Sequence, residues 1–570
     1  MEVVNLFRFG LNGFNAKTRR KKLITKKCLI TIVSALLMTA VMHAQEASDL
    51  TAEKQLAQRK AELDAREKAL NEREKALAEK ERATASSTLR SREKAGAKAK
   101  QQQAKAQSEE EQAKAARAEK KLHEPFLKRL DEAFLEQLGT PAYIPGTPPP
   151  VRRIPPPPFD SPPFPNADWQ IGGTAGTAII GDPGELAPYP LMQAIYEGPG
   201  GQAWKDSKVQ IYGWVNFSGN ISTSHPSKTS ENGNFPLIYD LRPNRMELNQ
   251  FVLYVERLPD ENQTDHIDWG FRVSALYGLD YRFTFTRGWF SDQLLKHNSY
   301  YGVDTPMVYF DIYIPNIFQG MNVTIGRIIS EPDIEAQLAP NNLMATHSLL
   351  YGFDDYCHEG IFTTTKLNAQ WTLQLGIDGG TDVAIWQDDP GRQVTGDVMI
   401  QWIAPNQMDS VYAGANSFNK GNFGYNNLQQ YVGTWTHKFN DKIYSATEAW
   451  YMYMNDAKDH PTEEVPFQSA SFPVRKGYAP EWAVCNYTMF RISRDAFFTV
   501  RNEYFKDKVG SRTGFATDYS EHSIGITWWP DKLITIRPEL RYDHSYAARA
   551  YDNGTRHNQL VFTTDMIFHY

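Results

Sequence analysis

The chain has 570 residues, a formal charge of −6, 12% aromatic residues and only 3 Cys. That length exceeds what one small core needs, and the cysteine count excludes a disulfide-stapled scaffold. From Lys205 onward, 30 Lys and Arg face 42 Asp and Glu, an acidic balance that argues against nucleic acid as a partner.

Residues 1–44 read as an export signal peptide. Arg8, Lys17, Arg19, Arg20, Lys21, Lys22, Lys26 and Lys27 make a basic head, an apolar run from Leu29 to Val41 follows, and Ala44 offers a cleavage point. The run is too short for a membrane helix, which needs about 20 apolar residues. Residues 45–122 read as a charged helical spacer. Leu56, Leu63, Leu70 and Leu77 recur every seventh residue, but the positions three and four beyond each are charged, as in Arg59 with Lys60 and Arg66 with Glu67. This is half a heptad stripe, so the segment is coiled-coil-like, and a solvated single helix held by pairs such as Glu62 with Arg66 is the alternative. About 75 helical residues would reach on the order of 110 Å, enough for a periplasmic spacer. A self-associating helix would make a homo-oligomer, and the far end could meet the cell wall.

Residues 123–140 read as a short amphipathic helix, with Phe126, Leu127, Leu130, Phe134, Leu135 and Leu138 on one side. Residues 141–204 read as a Pro/Gly-rich linker, since Pro155 to Pro158 can join neither helix nor sheet.

Residues 205–570 change texture to alternating strands. Ile267, Trp269, Phe271, Val273, Ala275 and Tyr277 alternate with Asp268, Gly270, Arg272 and Ser274. The last stretch puts Leu560, Phe562, Thr564, Met566, Phe568 and Tyr570 on one face and Val561, Thr563, Asp565, Ile567 and His569 on the other. About 16 such strands, joined by short turns and long loops in strict alternation, predict an all-β transmembrane antiparallel barrel of the outer membrane. The apolar rows should face lipid, and both barrel ends should lie on the short-turn side. The competing fold is a soluble β-sandwich, which has no reason to sort its connections by length.

A barrel of this strand number encloses water, so passage of small hydrophilic solutes or ions is the function expected. The long loop 330–359 is the candidate constriction. It carries Glu331, Asp333, Glu335, Asp354, Asp355 and Glu359, with His347 and His358 and no Lys or Arg. Acids in a narrow passage favour cations. Solvated loop carboxylates are the plain alternative. Arg272, Arg327 and Arg501 lie in strands and are candidates for an opposing basic wall, although Arg327 shares its face with Val323 and Ile325.

Residues 326–340, G-R-I-I-S-E-P-D-I-E-A-Q-L-A-P, then 347–354, H-S-L-L-Y-G-F-D, and W-W-P at 528–530 resemble the β-barrel porin-2 family of outer-membrane proteins. The resemblance covers roughly residues 209–570. It implies a porin in the outer membrane of a Gram-negative-type bacterium, names no substrate and carries over no catalytic residue. The alternative function is an envelope anchor whose helix tethers the barrel to periplasmic or cell-wall partners. An outer-membrane hydrolase ranks below both, because His522 and Ser523 are strand neighbours pointing to opposite faces. No cofactor is expected, and His437, His460, His522, His544 and His557 show no metal-ligand spacing. A Cys357–Cys485 disulfide would have to join opposite walls.

Overall fold

In a computed structural model, the described residues are 116–140 and 188–570, with gaps at loop positions, and isolated helical residues between 68 and 112. The export signal, most of the spacer and the proline run lie outside them. Residues 1–114 and 115–570 form two separate units. In the first, the described residues, Leu77 among them, are helical and exposed.

In the second unit, strands alternate with the connections the sequence predicts. They are β1 (Val209–Ser222), β2 (Met246–Arg257), β3 (Asp268–Gly278), β4 (Gly302–Asp304), β5 (Val308–Ile314) and β6 (Met321–Ile329). Next come β7 (Cys357–Lys366), β8 (Trp371–Asp378), β9 (Thr395–Ile403), β10 (Asp409–Phe418), β11 (Gln429–Asn440) and β12 (Ile443–Ala457). The last are β13 (Gly477–Arg491), β14 (Ala496–Asp507), β15 (Thr517–Trp528), β16 (Ile534–Ser545) and β17 (Asn558–His569). Apart from β4, each pairs antiparallel with the next, and β1 pairs with both β2 and β17, so the sheet closes. The short β4 pairs only with the end of β3, ahead of β5, which leaves sixteen spanning strands among the described residues. The sequence pattern misses β4, because three residues are too few to show alternation.

The closing strand behaves as its pattern predicts. Leu560, Phe562 and Met566 are exposed, while Val561, Thr563, Asp565, Ile567 and His569 are buried. On β3, Trp269, Val273 and Tyr277 face out and Arg272 and Ser274 face in. An apolar exterior around a polar interior inverts a soluble core and suits a lipid solvent. At the seam, Tyr570 N donates to Gly213 O at 3.0 Å and Gly213 N to Tyr570 O at 3.3 Å, and Tyr570 Oη donates to Val252 O at 2.7 Å.

Several short turns share one device. Asn368 Oδ1 accepts from Gln370 N and Trp371 N at 2.9 and 3.1 Å. Asn440 Oδ1 accepts from Lys442 N and Ile443 N at 2.9 and 3.1 Å. Asp531 Oδ1 does the same for Leu533 N and Ile534 N at 2.7 and 3.1 Å. A short side chain that takes over the backbone's hydrogen bonds reverses the strand in few residues. The connections are less strictly sorted than the sequence suggests. Residues 258–267 make a turn as long as the loop 419–428.

Two expectations for the segment before the barrel need correction. Residues 188–204, expected as linker, hold the helix Pro190–Tyr196 and the start of the helix Gly201–Ser207, which runs on into the segment expected as barrel. In the helix Phe126–Gln137 the buried residues are Arg129, Ala133 and Gln137, whereas Leu127 and Leu135 are exposed. Its partners explain the choice. Arg129 Nε donates to Ala194 O at 3.0 Å and Gln137 Nε2 to Pro188 O at 3.1 Å. These helices dock on the barrel's short-turn end. Phe134 stacks on Phe568 at 5.6 Å, Tyr189 on His569 at 5.0 Å, and Lys532 N donates to Thr140 O at 3.1 Å.

Candidate functional site: a loop across the lumen

The inner wall of β14, β15, β16 and β17 is charged. On β16, Arg537, Glu539, Arg541 and Asp543 occupy alternate positions and are buried, while Leu540 and Tyr542 between them are exposed. The register sets Arg501 opposite Ser523, Ser523 opposite Arg541, Glu521 opposite Asp543 and Arg537 opposite Asp565. Of these pairs, only Arg537 and Asp565 are unlike charges directly opposite each other; other ion pairs form on the diagonal, as where Arg501 Nε donates to Glu521 Oε2 at 3.1 Å. Arg537 pairs with Asp565, and Arg541 Nη2 lies 2.8 Å from Asp543 Oδ1.

The loop 330–356 leaves β6 and crosses to this wall. Its residues from Asp333 to Leu338 and from Thr346 to Asp354 are buried. Arg501 Nη1 donates to Thr346 O at 2.7 Å, and Nη2 donates to Thr346 Oγ1 and Glu539 Oε1 at 2.8 and 3.0 Å. Thr346 N donates to Glu539 Oε2 at 2.7 Å. Arg537 Nη1 holds the carbonyls of Ala339 and Asn342, both at 2.7 Å. Glu503 accepts from Leu349 N at 2.8 Å and also from Leu350 N, which relieves its position opposite Glu521. Farther round, Ile334 N donates to Glu448 Oε2 at 2.8 Å on β12, and Ala339 N to Gln250 Oε1 at 3.1 Å on β2. A loop without regular backbone pairing must satisfy its amides elsewhere, and here charged wall side chains do so.

The predicted site residues divide. Glu335 is central: its carboxylate accepts from Ser348 N at 3.0 Å, from Tyr487 Oη, and from Arg501 Nη1 at 3.3 Å. Burial raises its pKa against the pull of Arg501. Asp333 is buried beside Glu448. Asp354 is buried where Arg512 Nη2 holds its carbonyl at 3.1 Å. Glu331 and Asp355 lie outside the described residues. Glu359 sits elsewhere, in β7, accepting from Trp289 Nε1 at 3.1 Å and Ile385 N at 3.2 Å.

Among the three basic candidates, only Arg501 grips the loop. Arg272 faces inward but is bound to Glu256 at 2.7 Å, between Tyr254 and Tyr309. Arg327 is not on the inner wall. It pairs with Glu359 across from β7, on the same parity as the exposed Ile325 and Ile361. The loop 279–307 covers it there. Asp304 oxygens lie 2.9 Å from its guanidinium, and Thr284 O and Thr305 O accept at 2.6 and 2.7 Å. Arg537 and Arg541 were missed, although R-P-E-L-R-Y-D at 537–543 shows charges at every second residue.

His347 is buried against Tyr239 and donates from Nε2 to Ala336 O at 3.0 Å. Burial pushes it down to about 3, with Arg501, Arg537 and Arg541 adding to the effect against that hydrogen bond. It stays neutral at any physiological pH.

Known proteins place this architecture. The family described as "Putative beta-barrel porin-2, OmpL-like" matches residues 208–570. No curated protein matches in sequence. Similar solved structures include the outer membrane channel DcaP of Acinetobacter baumannii, at 10% identity and TM-score 0.41, covering 64% of this chain and 97% of that one. An anion-selective porin from Comamonas acidovorans matches at 9% identity and TM-score 0.41, covering 64% and 99%. The trimer form of OmpT from Vibrio cholerae matches at 11% identity and TM-score 0.39, covering 64% and 99%. Likenesses this distant say nothing of what the chain conducts or how it assembles. The family profile spans the whole barrel, and the chain belongs to the β-barrel porin-2, OmpL-like family of outer-membrane barrels.

Proposed function

We propose that this barrel is an outer-membrane porin for small hydrophilic solutes, with the loop 330–356 setting the passage and cations preferred. The observation that supports it is the loop itself, held across the lumen by the inner wall. Around it the carboxylates Asp333, Glu335, Glu448, Glu503, Glu521, Glu539, Asp543 and Asp565 outnumber the guanidinia of Arg501, Arg512, Arg537 and Arg541. A passage rich in acids lowers the barrier to cations. A channel rather than an enzyme is also what the family supports.

Purified barrel in a planar bilayer tests this. Stepwise conductance and a reversal potential of cation-selective sign in a KCl gradient are expected. Asp333→Asn with Glu448→Gln should move that potential toward zero. No conductance steps, or anion preference, would reject the reading. The helices docked on the seam favour a compatible second role, with the N-terminal part in the periplasm as a self-associating spacer to the cell wall. Co-sedimentation of the full chain, but not the bare barrel, with isolated cell wall would support it.

A further inference from the structure

The barrel brings together three side chains that chain spacing does not connect: His358 at the start of β7, Asp378 at the end of β8 and Asp397 in β9. One ligand atom from each lies within 4.8 Å of the other two, and all three residues are buried. The register explains how. Gly360 pairs with Asp378 and Gly376 with Asp397, so each ligand stands two residues from its neighbour's partner on the inward face. His358 Nδ1 is 2.5 Å from Asp378 Oδ2. Asp378 Oδ1 accepts from Gly380 N at 2.6 Å, and Asp397 Oδ1 from Ser417 N at 3.0 Å. The other oxygen, Asp397 Oδ2, is buried and meets no N–H or O–H donor among the described residues; its neighbour is the Asp378 carboxylate, with which it can share a hydrogen bond only through a proton. It leans over Gly376, where an added Cβ would stand 2.6 Å from it, and so toward Asp378.

Two buried carboxylates turned toward each other repel unless something positive lies between them. Here the nearest candidate is one imidazole, already committed to Asp378. We propose that His358, Asp378 and Asp397 bind one divalent first-row transition-metal ion. Two carboxylate oxygens and an imidazole nitrogen match Zn2+ or Mn2+ better than Ca2+ or Mg2+, which take oxygen donors. Binding displaces the proton between His358 Nδ1 and Asp378, so it releases a proton to solvent and strengthens as pH rises. The site stands where the loop 330–356 enters β7 and where the loop 379–394 joins β8 to β9, so the ion ties the root of the lumen loop to its neighbour. A proton shared by the two carboxylates is the competing occupant.

The test uses folded, chelator-treated mature protein in detergent, with ZnCl2 as the probe. One Zn2+ per chain is expected by calorimetry, with proton release and a rise in the thermal midpoint. Asp397→Asn, which keeps the side-chain shape, should weaken binding at least tenfold while the variant still shows heat-modifiable gel migration. His358→Gln provides a second variant should Asp397→Asn fail to fold. Absence of stoichiometric binding by the wild-type barrel, or undiminished affinity in a folded variant, overturns the proposal. Neither result bears on conductance, so the site and the porin reading stand or fall separately.

Discussion

Asp280 shows what lumen burial does to a single carboxyl. It lies in the 3-10 turn after β3, where Gln250 Nε2 donates to its Oδ2 at 2.8 Å. Burial raises it from 3.8 to about 7, against that hydrogen bond. Through the window between those values the folded protein keeps a proton that the unfolded chain has lost. Stability therefore falls as pH rises across the window and levels off above it. Asp280→Asn should flatten this slope, measured as the thermal midpoint near about pH 4.5 and about pH 8. An equal slope in wild type and variant would show that the carboxyl is solvated. Arg501 carries the opposite risk. Arg501→Met would strip a partner from Glu335, Glu521 and Glu539 together. Losing one partner of a buried ion pair costs roughly 3–5 kcal/mol, so the midpoint should drop and the loop should become open to protease. An unchanged midpoint would mean that the carboxyls are neutralised another way.

Among elements, the loop 330–356 and the strands differ in how far local pattern reaches. Strand alternation is written every second residue, so β3 and β17 could be read directly, facing included. Arg327 breaks this rule. Its strand neighbours Ile325 and Val323 show the outward parity, yet burial under the loop 279–307 makes the position hospitable to a charge. Arg327→Ala should therefore leave ion selectivity unchanged while lowering stability, in contrast to Arg501→Met. A shifted reversal potential in Arg327→Ala would return that residue to the passage. For the loop, the sequence indicates its acids but not their partners. Glu335 meets Arg501, 166 positions away, and only closure brings them together. Replacing residues 334–351 by a short Gly-Ser link should raise single-channel conductance several-fold. Conductance equal to wild type would show that ions take another route.

At the scale of the whole molecule, the barrel closes through the pairing of β1 with β17, both of which lie within residues 209–569. A chain lacking residues 47–165 should still fold and keep heat-modifiable migration. Its midpoint should be lower, because the stack of Phe134 on Phe568 and the bond from Lys532 N to Thr140 O disappear. Failure to fold would make the docked helix part of the barrel's assembly. What the amino-acid order determined alone was the cylinder: the period of two, the apolar outer rows and the alternation of turns and loops are local or nearest-neighbour properties. Tertiary structure alone decided the interior. Which guanidinium meets which carboxylate, which way Arg327 turns, and the meeting of His358 with Asp378 and Asp397 all depend on register between strands and on loop paths. The reason is physical. Facing a lipid solvent is a rule each residue obeys separately, whereas a buried charge is settled only by the particular partner that closure delivers.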